Sequence, residues 1–191
     1  MSHLSDILRY SLLWRFGGTY VDTDVIFIKS LPQPRQVPNL IGKEREGKPH
    51  LAAGIMRFQL GHPIMSRMQD YLASNFDGSV WGANGPLAVT DVLMDACKVS
   101  HADDMTPERC MGVTVLNHTA FYAIPYYAWN DIFDPDKTAE VLSALRGSHA
   151  LHMWGRFSAT AAGRSPTYTK NAFQTIAASS CPVSYKLFVD L

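Results

Sequence analysis

The chain has 191 residues, 47% hydrophobic and 18% charged, a composition that describes a folded domain and excludes a disordered one. Lysine plus arginine equals aspartate plus glutamate at 17 each, so nucleic acid and acidic membrane surfaces are poor candidates for the main partner. No apolar run approaches the roughly 20 residues of a bilayer span, and "MSHLSDILRY" lacks the layout of a signal peptide. In chain order, Ser5 caps a helix whose apolar residues Leu8, Leu12 and Leu13, with Ile7, Tyr10 and Trp14, recur at helical spacing. Gly17-Gly18 ends it, and "TYVDTDVIFI" reads as a strand interrupted near its middle. "SLPQPRQVPN" is a proline-rich loop and "LAAGIMRF" a second strand. His62-Pro63 opens a helix running to about Phe76.

"WGANGPL" is a glycine-rich turn before the helix "PLAVTDVLMDACK". "GVTVLN" and "AFYAIPY" read as short strands or extended segments, and "DPDKTAEVLSALRG" carries the acidic start and closing glycine of a helix. "SHALHMW" is a short strand and "TYTKNAFQTIAAS" the last helix. Alternating strands and helices, without repeats or a clear linker, indicate one α/β domain over residues 1–191. Cys97, Cys110 and Cys181 show no CxxC spacing, which argues against zinc. On composition alone they fit free core thiols or one pair plus a leftover thiol.

The chemistry concentrates in "GGTYVDTDV". Strands disfavour aspartate and a buried unpaired carboxylate is costly, yet Asp22 and Asp24 stand between two apolar runs. Carboxylates at i and i+2 point the same way on an extended chain. If the strand breaks at Thr23, both converge at a sheet edge, where a hard divalent ion takes one or two carboxylates plus substrate phosphates. Solvated turn acids would present the same letters.

The surrounding residues favour the metal. "SDILRYSLLWRFGGTYVDTDV" resembles the DxD region of sugar-nucleotide glycosyltransferases: a Ser-Asp…Arg helix, a Gly-Gly hinge, Tyr20 and Asp-x-Asp. "WGANGPLAVT", "GVTVLNHTAFYAIPY", "HALHMW" and "SCP" extend the resemblance to the animal α1,4-glycosyltransferases over essentially the whole chain, residues 1–50 as the DxD region and 51–191 as the C-terminal region.

That resemblance implies a GT-A-like α/β fold in which Asp22 and Asp24 hold manganese, or magnesium, against a donor diphosphate and act as the catalytic pair through Lewis-acid charge neutralisation. It implies transfer of galactose or an N-acetylhexosamine from a UDP-sugar to the 4-hydroxyl of a glycolipid or glycoprotein acceptor, with retention. It also implies the Golgi lumen and a type II membrane protein anchored through a segment absent from this chain. Asp6 and Arg9, together with Tyr20, match donor-contacting positions, and the i,i+3 spacing of the first two sets them on one helix face. Asn84 and Gly85 precede a helix N-terminus suited to sugar hydroxyls or phosphate. Asp91 reads as structural. His152, in the His-x-Trp position, is the third expected metal ligand; His149 reads as a plain strand residue. Relatives continue His-x-Trp-Asn-Lys, where this chain has Gly155 and Arg156, the latter still suited to phosphate. Cys97 and Cys110 match paired cysteines, leaving Cys181 over, and the "NHT" sequon at Asn117 agrees with secretion.

No further acid offers itself as a covalent nucleophile, which favours front-face attack with the leaving phosphate oxygen taking the acceptor proton. The nucleotide-binding strands that precede this region in the family are missing from the chain as given. The expectation is therefore a raw sheet edge prone to self-association, weak metal and diphosphate binding, little preference for UDP, and little or no turnover by this polypeptide alone. The competing reading is a truncated, non-catalytic glycosyltransferase-like binding domain. A metal phosphohydrolase is set aside because its clustered His and Asp motifs are absent.

Overall fold

The computed structural model describes residues 2–45, 50–162 and 170–189. They fall into two compact units, Met1–Asp22 with Pro32–His118, and Thr23–Leu31 with Thr119–Leu191.

The first unit opens with α1, Ser2–Phe16. The helix starts before Ser5, so this serine is not its cap: its Oγ accepts a hydrogen bond from Arg9 Nη2 at 3.3 Å. Tyr10 and Leu13 face the core. Gly17 ends the helix at φ +65°, and a Cβ there would lie 2.6 Å from the backbone nitrogen of Leu60, so both conformation and space demand glycine. The sheet has the order β1-β4-β3-β5, from Gly18–Val21 (β1), Asn39–Lys43 (β3), Leu51–Phe58 (β4) and Val113–Leu116 (β5). β4 pairs antiparallel with β1 and β3, and β3 pairs parallel with β5. β4 is buried along its whole length, Arg57 included. β3 was not foreseen; its leucine and isoleucine are fully buried, but the prolines before it masked a strand only five residues long.

Two helices complete this core. In α2, Pro63–Asn75, the buried Ile64, Met68 and Leu72 repeat every fourth residue. α3 is Ala88–Cys97, and a disulfide ties its last residue to Cys110. Closing a loop of that length contributes roughly 3 kcal/mol by chain entropy. Cys181 is a free thiol, half-buried.

His62 caps α2 with its ring. Nδ1 accepts from the Ile64 amide at 3.2 Å and Nε2 lies 3.1 Å from the Met111 carbonyl, an arrangement that needs a neutral ring protonated on Nε2. Burial lowers its pKa below the ordinary 6.5, against the Met111 carbonyl, which acts to raise it. A depressed folded pKa contributes stability that is present above the unfolded value and is lost as pH falls through the folded one. Relative to His62→Asn, which keeps a capping oxygen, the native chain should lose on the order of 1 kcal/mol as pH drops well below neutrality. Urea melts of both proteins across that range check it; parallel pH profiles would refute the cap's role.

The second unit pairs β2, Val25–Phe27, antiparallel with β6, Ala150–His152, in the register Val25↔His152. The interrupted strand is thus two strands in two sheets, broken over Asp22–Asp24. Its core gathers Ile26, Ile132, Val141, Leu151 and Ile176 around α4, Thr138–Ala144, and α6, Ala172–Ser180. Asn171 and Gln174 form a reciprocal capping box at the start of α6. The predicted start of that helix at Thr167 lies outside the described residues. α6 is not the last helix: α7, Pro182–Val189, follows, and α5, Gly155–Ala162, stands where no helix was expected. "AFYAIPY" forms no strand; the segment joins short 3₁₀ turns at His118–Ala120 and Tyr126–Ile132. No helix among the described residues is long and apolar enough to cross a membrane.

Candidate active site

In the first unit α1 and the residue after β1 bring two carboxylates and a guanidinium together. Arg9 Nη2 lies 3.1 Å from Asp6 Oδ1 and 3.4 Å from Asp22 Oδ1. Its remaining donors reach the Ala53 carbonyl at 2.6 Å and the Ser5 carbonyl at 3.3 Å, and its guanidinium stacks 4.8 Å from the Tyr20 ring centroid. The i,i+3 pairing anticipated for Asp6 and Arg9 is present, but both are buried and Arg9 is committed to protein groups. Burial pushes the Asp6 carboxyl above its ordinary pKa, with Arg9 pulling the other way. Tyr20 donates its hydroxyl to Asp22 Oδ1 at 2.7 Å, which fixes that carboxylate while its side chain stays partly exposed.

The glycine turn closes over this cluster. Gly85 sits so near Asp6 that a Cβ would lie 2.7 Å from Asp6 Oδ1, and its carbonyl accepts from the buried Tyr10 hydroxyl at 2.9 Å. Tyr10, unnoticed in the sequence except as a core residue, therefore sets the turn's height above Asp6. Asn84 departs from the expected ligand-facing amide. Fully buried, it donates to the Asp77 carbonyl at 2.6 Å and to His3 Nδ1 at 2.8 Å, and accepts from the Asp77 amide at 3.0 Å. Both its N–H groups are in use, so it ties the turn together. Asp91 accepts from the Tyr71 hydroxyl at 2.9 Å, a structural contact as expected.

In the second unit the β2–β6 pairing carries the second acid of the DxD to His152. Asp24 Oδ1 lies 3.6 Å from His152 Nε2, and Asp24 Oδ2 accepts from the Gly155 amide at 2.6 Å. The close approach favours glycine: a Cβ at Gly155 would lie 3.0 Å from Asp24 Oδ2, a tight contact. Trp154 turns the chain to that point at φ +54°, a conformation bulky residues rarely adopt, held by its indole N–H on the Ile124 carbonyl at 2.8 Å. Its amide donates to His152 Nδ1 at 3.1 Å, which leaves the ring proton on Nε2, facing Asp24. Arg156 is exposed in the first turn of α5, and His149 is a strand-edge residue whose Nδ1 faces the Ser30 carbonyl at 2.7 Å.

A carboxylate oxygen and an imidazole nitrogen this close, partly open to solvent, form a donor set that suits a divalent metal. Asp22 is linked to Asp24 through a single intervening residue. A metal held through Nε2 would require the ring proton on Nδ1 and the loss of the Trp154 amide bond to the ring.

Residues 57–188 match the model of the Alpha 1,4-glycosyltransferase conserved region, more than half of the chain. The chain belongs to the α1,4-glycosyltransferase family. Residues 1–46 of this α1,4-glycosyltransferase also match the Glycosyltransferase sugar-binding region containing DXD motif. It is 32% identical to the lactosylceramide 4-alpha-galactosyltransferase of Pongo pygmaeus over 81% of this chain and 68% of that protein. The Rattus norvegicus protein of the same name is 33% identical over 81% of this chain and 41% of its own length. Human alpha-1,4-N-acetylglucosaminyltransferase is 26% identical over 95% of this chain and 51% of its own. The chain thus spans about half or less of the latter two. The solved structure of PaToxG Glycosyltransferase is 27% identical, covering 49% of this chain and 34% of that one, at a TM-score of 0.39, a likeness too slight to bear on the site.

Proposed function

We propose that this α1,4-glycosyltransferase moves galactose or an N-acetylhexosamine from a UDP-sugar to the 4-hydroxyl of an acceptor glycan, a glycolipid or a glycoprotein, with retention and with a divalent metal, manganese before magnesium. The observation that carries the reading is the Asp24–His152 pair at 3.6 Å, formed by the DxD motif of a family member. Asp22, Asp24 and His152 would hold the metal, which when bound neutralises charge on the departing diphosphate. Gly155 fixes one oxygen of Asp24 through its amide, and Tyr20 fixes one oxygen of Asp22, so both carboxylates are oriented before any ligand arrives. Arg9 serves the donor indirectly by holding Asp6 and Asp22. Asp6, destabilised as a carboxylate by burial, gains from hydroxyl donors, which a donor sugar supplies. Gly85 leaves Asp6 the room it needs, and the exposed Arg156 is the candidate phosphate contact.

The compartment proposed is the Golgi lumen; the Cys97–Cys110 disulfide supports it, because such bonds persist in oxidising lumens. A panel of UDP-sugars with manganese, scored for UDP release with and without a lactoside acceptor, tests the function. Release that needs manganese and rises with acceptor supports the reading; release undiminished by excess chelator, or indifferent to acceptor, would overturn it.

A further inference from the structure

The Asp24–His152 pair is the inner end of a continuous run of rings. The His152 and Trp154 centroids are 4.4 Å apart, Trp154 and Tyr126 6.2 Å, Tyr126 and Phe157 6.1 Å in a near-parallel stack, and Tyr126 and Tyr127 5.5 Å edge-to-face. Exposure rises along it: 8% at His152, 37% at Tyr126, 39% at Phe157 and 66% at Tyr127. Tyr126 and Tyr127 come from the Tyr126–Ile132 turn and Phe157 from α5, while His152 ends β6 and Trp154 lies between β6 and α5.

Tyr127 stands mostly in water, and Tyr126 and Phe157 keep more than a third of their surface there, which forgoes part of the roughly 1.5–3 kcal/mol that full burial of a large apolar side chain brings. Rings with a π face and, in the tyrosines, a hydroxyl at the rim suit a ligand that presents C–H bonds on one side and hydroxyls at its edge. A pyranose ring has that shape. We infer that Tyr126, Tyr127 and Phe157 form the platform on which an acceptor saccharide stacks, its reacting hydroxyl directed toward Asp24 and His152. The inference rests on the transferase reading for the direction of the sugar, and on the ring geometry alone for its binding. Binding gained on this platform, away from the reacting atoms, holds the acceptor in the attacking position.

The test is saturation-transfer NMR on the full chain with β-methyl lactoside as probe, run beside manganese titration followed by electron paramagnetic resonance. Native protein should transfer saturation to sugar C–H protons on one face, and Tyr126→Leu/Tyr127→Ser should weaken lactoside binding at least ~10-fold. Phe157→Leu, a smaller change, should weaken it less, with manganese affinity unaltered in both variants. No transfer in the native protein, or equal lactoside affinity in the variants, overturns the platform. Lactoside binding that depends on the tyrosines in a chain without manganese affinity would uphold the platform and refute the metal reading, so the two fail separately.

Discussion

Asp24→Asn should abolish manganese binding and lower donor turnover at least ~100-fold while leaving the fold in place. The substitution is nearly isosteric. Its amide oxygen can still accept from the Gly155 N–H, now 2.6 Å from Asp24 Oδ2, so the β2–β6 corner keeps its backbone anchor. What disappears is the negative charge beside His152 Nε2. Thermal melts should shift by no more than about 1 kcal/mol in stability, the worth of one weakened hydrogen bond. Metal titration and UDP release, measured on the same preparation, separate the effects. A variant that binds manganese like the native chain removes Asp24 from the metal site.

Arg9→Leu should be the most damaging single change in the first unit, costing about 3–5 kcal/mol. The guanidinium is buried against Asp6 and Asp22, and Asp6 is buried as well. Removing the cation leaves Asp6 a desolvated carboxylate without its compensating charge, and burial already pushes its pKa up. The Ala53 carbonyl loses its 2.6 Å donor at the same time. Adding Asp6→Asn to Arg9→Leu should recover part of the loss, because an amide tolerates burial where a lone carboxylate does not. Urea denaturation of the single and double variants decides it. If Arg9→Leu unfolds with native stability, the cluster is not held by this pair.

Periodicity and punctuation made most of this legible. Pro63 after His62, the glycine pair after Phe16 and the largely apolar run from Leu51 to Phe58, interrupted by Arg57, each mark an element the structure places within a residue or two. The break at Thr23 was legible too, because two carboxylates cannot sit inside a paired, buried strand. The β3 strand, α5 and α7 were hidden for local reasons. β3 is short and preceded by prolines, α5 begins at a glycine that reads as a turn, and α7 starts at Pro182 just after a helix end. At the site, the letters single out Asp6, Arg9, Asp22, Asp24 and His152 as candidates but not which of them are buried against other protein groups. Asn84 and Arg9 look like ligand contacts in a motif, and only their three-dimensional partners reveal that their donors are already engaged. Tyr10 and Trp154 act through one long-range hydrogen bond each, to the Gly85 and Ile124 carbonyls, which no spacing announces.

The pairing of β2 with β6 also governs how the protein is made. Val25–Phe27 leaves the ribosome roughly 120 residues ahead of Ala150–His152, the strand that covers it, which at typical synthesis rates is on the order of 6–25 s. For that interval a short apolar strand next to two aspartates has no sheet to join, and any holdase that shields it must let go late. A nascent chain stalled before His152 carries the whole DxD and none of the imidazole, so the Asp24–His152 pair cannot assist folding until that strand has been made.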